Sequence, residues 1–338
     1  MALAVLGAGL VVAGGFGVTV GSVSLPPGEV LSILMSKLPW LTTDRLPSWP
    51  SSHEAIVLTL RLPRVLLAGV VGASLAVAGG AFQGLFRNPM ADPYIIGVSS
   101  GAALGASLAI ALGVPVTVTG LGGVPLAAFA GAVAAVLLVY AIARVGREVP
   151  VGNLLLSGVA VGAFLSALVS LVVVFSRNHI EEIVFWLMGS LAGRGWTHLG
   201  AAVPYLVVGS LILLYLARDL NALLLGEEEA AHLGIDVERT KKLILGAASL
   251  LTAAAVATCG VVGFVGLVVP HIVRLMVGPD HRSLLPVSAA AGALLMILAD
   301  LAARTVIRPG ELPIGVVTAL LGGPFFLYLL RRSRSRVL

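Results

Sequence analysis

Apolar residues fill this chain in blocks broken by short polar stretches. Ten blocks, near 3–20, 62–82, 94–112, 124–143, 152–175, 199–217, 243–260, 264–277, 285–303 and 313–330, approach the length of a membrane span. Crossing roughly 30 Å of hydrocarbon takes about 20 mainly apolar residues as a helix. The eighth block is short and contains Pro270, which predicts a broken or tilted span. The two-residue alternation of a β-barrel is missing. The pattern predicts an all-α polytopic membrane protein, one transmembrane domain over 1–338. Its first block starts almost at Met1 with no preceding Lys or Arg. A signal peptide needs a basic leader, so a retained first span is expected.

Composition agrees. Apolar residues make up 58% of the chain, charged residues 11%, and mean hydropathy is +1.06, against about 25% charged residues in soluble domains. Orientation follows from where Lys and Arg gather. With both termini cytoplasmic, the inner side holds Arg87, Arg144, Arg147, Arg218, Arg239, Lys241, Lys242, Arg282, Arg331, Arg332, Arg334 and Arg336, with Arg274 near that face. The outer side holds Lys37, Arg45, Arg61, Arg64, Arg177, Arg194, Arg304 and Arg308. Twelve against eight favours this orientation. The net charge of +5 then reflects contact with anionic membrane lipid, and nothing points to nucleic acid. The single cysteine, Cys259, excludes an internal disulfide.

The polar stretches differ in kind. Segment 21–60, with Pro26, Pro27, Pro39, Pro47, Pro50, Trp40 and Trp49, reads as an extracytoplasmic loop with interfacial anchors. Arg177 to Trp196 predicts a short helix lying at the interface. The island at 218–242 holds 10 of the chain's 37 Asp, Glu, Lys and Arg residues. Within it Leu220, Leu223 and Leu224 share one helical face and Gly226 breaks the segment. Glu227, Glu228 and Glu229 then open a second helix with acids at its positive end, which Gly234 stops. Two short helices joined by glycine form a compact knob, whose leucines are expected to pack on another protein. An Ala/Gly-rich helix, a Gly-rich turn and a proline occur both at Arg64–Pro93 and at Lys242–His271. With one span between the halves, this reads as an inverted repeat of the kind many transporters use.

Chemistry-bearing motifs are sparse. No G-x-x-x-x-G-K-[ST] is present to cradle ATP phosphates, and His53-Glu54 lacks the second histidine of a zinc protease. Gly97-Val98-Ser99-Ser100-Gly101 fits G-x-S-x-G. With His271 it raises an intramembrane serine protease, although the motif sits at the start of an apolar helix rather than at a strand-to-helix elbow. Gly97, Gly101 and Gly105, and Gly158 with Gly162, form small-xxx-small rows suited to close helix packing. Asp300 and Arg304, four apart, can pair on one helix face. A proton-coupled carrier needs carboxylates near the midplane, and Asp300 is the only acid in the later spans. Arg61 and Arg64, in Leu60-Arg61-Leu62-Pro63-Arg64, read either as an interfacial anchor or as a docking point for an acidic surface.

Several stretches together are similar to the FecCD-type permeases, membrane subunits of the type II ABC importers for iron–siderophores, haem and vitamin B12. In the first half they are Arg61-Leu62-Pro63-Arg64, Gln83-Gly84-Leu85-Phe86-Arg87-Asn88-Pro89-Met90-Ala91-Asp92-Pro93 and Gly97-Val98-Ser99-Ser100-Gly101. The second half adds Gly263 to His271, Asp280-His281-Arg282, Ala299 to Arg304 and Glu311-Leu312-Pro313-Ile314-Gly315. The resemblance spans about 55 to 330. It implies a ten-helix subunit of a bacterial inner membrane, paired as a homodimer around a central path. Two cytoplasmic ATPase subunits would bind ATP and Mg, and a periplasmic or lipid-anchored binding protein would dock above. The chain itself would hold no cofactor and no metal, and would catalyse nothing. The island becomes the cytoplasmic coupling-helix loop, through Leu220, Leu223, Leu224, Gly226, Glu227, Glu228, His232, Leu233, Gly234 and Ile235. Arg61, Arg64 and Arg304 become docking residues for acidic groups of the binding protein. Gly97, Ser99, Gly101, Phe164, Ser166, Asn178 and Trp186 are the candidates for gate and pathway. No Met or His cluster suggests stripping of bare metal, and His179 and His198 are the candidates for a haem contact.

Overall fold

The computed structural model describes residues 2–21, 23–37, 49–115, 121–307 and 310–334. Trp40, Pro39, Pro47, Arg45, Arg308 and Arg336 lie outside them. Every predicted block is a helix: α1 (Ala2–Thr19), α4 (Leu62–Leu85), α5 (Val98–Ala111), α6 (Gly123–Ala143), α7 (Val151–Phe175), α9 (Trp196–Tyr215), α12 (Val237–Cys259), α13 (Val265–Val277), α14 (His281–Ala303) and α15 (Ile314–Arg334). Between them lie the short helices α2 (Pro27–Ser36), α3 (Ser51–Ala55), α8 (Ile180–Leu187), α10 (Ala217–Leu223) and α11 (Glu227–His232). Among the described residues seven helices are long and apolar enough to cross a bilayer, and α5, α13 and the apolar part of α15 are shorter.

Segment 21–60 is more ordered than a loop. Helix α2 starts at a proline, which has no N–H to leave unpaired at a first turn, and it buries Val30 and Ile33. Helix α3 runs into α4 through a wider turn over Ile56–Arg61, just before Pro63, whose ring and missing N–H disfavour a regular ladder. The interfacial segment holds α8 as expected, with Ile183 and Trp186 turned inward.

The two most buried spans, α4 and α12, form the centre. Helix α4 packs on α14 through facing glycines. A Cβ at Gly72 would overlap the carbonyl oxygen of Gly292 and lie 2.7 Å from Met296 Cγ. One added at Gly79 would lie 2.6 Å from the carbonyl carbon of Gly266 in α13. Close backbone contact of this kind holds helices together where lipid supplies no hydrophobic drive. Gly101 and Gly105 of the sequence motif serve the same end, packing α5 against the backbone of α6 at Gly131 and Ala127. The repeat is visible in the element order. Both central helices lead through a turn into a short helix, α5 or α13, and both short helices begin at a left-handed residue, Gly97 (φ 81°) and Phe264 (φ 69°).

Candidate functional site

The island folds as two short helices pinned to the spans. Helix α10 follows α9 directly. Gly226, with φ 141°, makes the turn into α11, and Gly234, with φ 86°, ends it. Asp236 caps α12 by accepting from the Arg239 N–H at 3.0 Å. Two polar clamps then fix the knob. Lys241, buried, donates to Glu227 of α11 at 2.8 Å, to the Val149 carbonyl at 3.2 Å, and pairs with Glu238 at 2.5 Å. Asn221 of α10 accepts from the His281 backbone N–H at 2.9 Å and meets its ring Nδ1 at 2.8 Å. The same amide donates to Asp280 at 2.7 Å. Asp280 caps α14 by accepting from the Arg282 N–H. The Arg282 backbone and the Asn221 amide together hold the Asp280 carboxyl below its ordinary range.

The leucine stripe corrects one expectation. Leu220 and Leu223 are buried, in the chain's own core, because α10 turns that face onto the ends of α4 and α14. Leu220 Cδ2 would lie 3.1 Å from a Cβ at Gly84. Leu224 and Ile235 are half-buried, while Glu228, His232 and Gly234 are exposed. The large apolar groups left open on the knob are Leu225, 67% exposed, and Leu233, 65% exposed. Sequence reading passed over Leu225, although its place just before the Gly226 break marks it as the tip of the turn.

At the opposite end of the spans the arginines gather. Arg64 donates to Asp300 at 2.9 Å through Nε and grips Glu311 with both terminal nitrogens, at 3.0 and 2.9 Å. Arg304 pairs with Asp300 at 3.4 Å, the predicted contact, and donates to the Gly17 carbonyl at 2.6 Å. Arg61 donates to the carbonyls of Val18, Thr19 and Val23. Gly21 makes room for it, since a Cβ there would lie 2.7 Å from Nη2. A cavity of about 530 Å³ opens beside them, lined also by Thr59, Arg194 and Gly195. Arg61 and Arg304 are buried, so in this structure they brace the end of α1. Glu311 is the exposed member of this cluster, and Arg64 beneath it is half-buried. Burial lowers the pKa of Arg194.

The pathway candidates divide. Phe164, Ser166 and Asn178 are exposed and Ser99 is half-buried. Gly97, Gly101 and Trp186 are buried among the chain's own helices, where the glycines serve packing or turn geometry. The protease constellation is not assembled: among the described residues no hydrogen bond joins Ser99 or Ser100 to His271, and the described residues hold no His, Cys, Asp and Glu group fit for a metal. Asp300 is tied to two arginines, a poor state for a proton carrier. His198 meets Arg194 at 3.2 Å and His179 lies near Glu182 at 3.7 Å, so the two are already engaged locally.

A family model described as the FecCD transport family matches residues 9–332. The chain belongs to the FecCD transport family. It is 52% identical over 289 residues to the cobalamin import system permease protein BtuC of Halobacterium salinarum, covering 86% of this chain and 77% of that one. It is 44% identical to the hemin transport system permease protein HmuU of Yersinia pestis, covering 88% of each. With the Fe(3+) dicitrate transport system permease protein FecD of Escherichia coli it shares 41% identity over 90% of this chain and 95% of that one. A solved chain assigned to the metal-chelate type of ABC transporters, in an inward-facing conformation, superposes with a TM-score of 0.83 at 34% identity over 97% of both chains. This FecCD protein is therefore a multi-pass permease of the ABC importer class, and the all-α fold is that of its relatives.

Proposed function

We propose that the chain is the permease subunit of an ATP-driven importer of a metal chelate, with cobalamin as its cargo class. The observation that carries the transport reading is the island. Two exposed leucines stand on a knob that polar clamps lock to α12 and α14, and α14 packs on α4. A soluble partner pressing on Leu225 and Leu233 would therefore move the central helices. The chain has no phosphate-cradling loop of its own, so that partner is an ATPase subunit, bound in pairs beneath two copies of this chain at the cytoplasmic face of the inner membrane. The cargo reading rests on relatives named for cobalamin, at 52% and 43% identity. An extracytoplasmic binding protein would dock at this end, where an incoming acidic residue would have to displace Glu311 from Arg64. A second copy would meet the open side of α7, where Ser166 and Ser170 give an apolar helix a polar stripe, and complete the path.

The test is co-purification of the ATPase subunit with wild-type permease and with the Leu225→Asp, Leu233→Asp double variant. Both positions are exposed, so the variant folds, and it is expected to lose the ATPase. Retention at the wild-type ratio would place the docking surface elsewhere.

A further inference from the structure

We infer that Asn221 is the positioning residue that carries movement of the island into α14, so that docking of a partner and opening of the spans are separable. The inference rests on the proposed coupling role of the island.

One side-chain amide spans three groups. Its oxygen takes the backbone N–H and faces the ring Nδ1 of His281, and its nitrogen donates to Asp280. Asp280 and His281 are the N-cap and first residue of α14, so α10 grips the helix at its end, through one backbone N–H and the two short side chains beside it. His281 is fully buried, and its ring rests on α4, since a Cβ at Gly84 would lie 2.5 Å from Nε2. Helix ends have backbone groups with no partner inside the helix. A clamp on such groups moves the axis, whereas a clamp on a long side chain would be absorbed by rotation about its bonds. The Lys241 clamp differs in this respect. It is a flexible side chain that ties α11 to α12 and to the Val149 carbonyl. Of the two, the Asn221 clamp is the stiff one.

The readout is backbone hydrogen exchange on the intact permease–ATPase complex, with and without ATP and vanadate. In the wild type, nucleotide is expected to change exchange in the island, 217–233, and in the first turns of α14, 281–288. In Asn221→Ala the island response should persist and the α14 response should disappear. A purely structural role would instead raise exchange in α14 without nucleotide and leave the nucleotide-dependent difference in place. Asn221→Asp, a gentler change, keeps the acceptor for His281 but sets a carboxylate against Asp280, and is expected to reduce the α14 response at least twofold. An α14 response in Asn221→Ala equal to that of the wild type would overturn the inference. No response of the island in the wild type would overturn the coupling reading itself.

Discussion

Gly72 and Gly69 sit one turn apart on α4, facing α14, yet an added methyl should act on them in opposite directions. At Gly69 a Cβ would meet Ile297 Cδ1 at 3.6 Å and Ala293 Cβ at 3.8 Å, ordinary van der Waals distances. Alanine there gains about 0.5–1 kcal/mol from lower backbone entropy in the unfolded chain. At Gly72 the Cβ would overlap the Gly292 carbonyl oxygen and approach the carbonyl carbon to 2.7 Å. Carbon–oxygen contacts settle near 3.3–3.6 Å, so the two backbones must part by about 1 Å. Overpacking of this kind costs roughly 1–3 kcal/mol, which exceeds the entropic gain. The net expectation is a loss of about 1–2 kcal/mol for Gly72→Ala beside a small gain for Gly69→Ala. Thermal loss of monodispersity in detergent, followed by size-exclusion chromatography, reads the difference as several degrees between the variants. Equal melting of the two would refute the close α4–α14 contact on which the centre of the fold rests.

Two further predictions concern the island. Asp280 is held below its ordinary range, so its contribution to stability is complete above the unfolded value, about 3.9. It is lost as pH falls through the lower folded value. Asp280→Asn keeps a good N-cap, and a melting series from pH 6 down to 3 should show a shallower acid slope than the wild type. Lys241→Met leaves Glu227, Glu238 and the Val149 carbonyl without their shared cation, at a cost of about 1–3 kcal/mol. It should raise hydrogen exchange in α11 more than in α10.

All ten apolar blocks were legible in the sequence as helices, seven of them long enough to span among the described residues, because apolar length is a local property. The Asp300–Arg304 pair was legible for the same reason, since a spacing of four defines one helix face. The grip of Arg64 on Asp300 and Glu311 was not, as these partners are 236 and 247 residues away. The stripe of Leu220, Leu223 and Leu224 marked a packing face, expected to meet another protein, but amphipathic spacing does not say which body buries it. Here the chain's own α4 and α14 do, and the exposed leucines are ones whose neighbours are turns. Trp186, a candidate for the gate, shows the same limit. An aromatic in an interfacial helix can face lipid, water or the bundle, and α8 turns this one to the bundle. Arg61 read as an interfacial anchor or a docking point, yet the last turn of α1 and Val23 beyond it surround it with carbonyls that no spacing rule reveals.

We propose that this permease moves a cobalamin-class chelate by borrowing ATP hydrolysis through the island. Proteoliposomes holding the permease with its ATPase, supplied with binding protein and labelled cyanocobalamin, test it directly. The expected result is uptake that requires ATP and disappears in the Leu225→Asp, Leu233→Asp variant. ATP-dependent uptake of haem or ferric dicitrate with none of cyanocobalamin would contradict the cargo assignment. Uptake of cyanocobalamin at an equal rate without ATP would mean that the island does not couple ATP hydrolysis to transport.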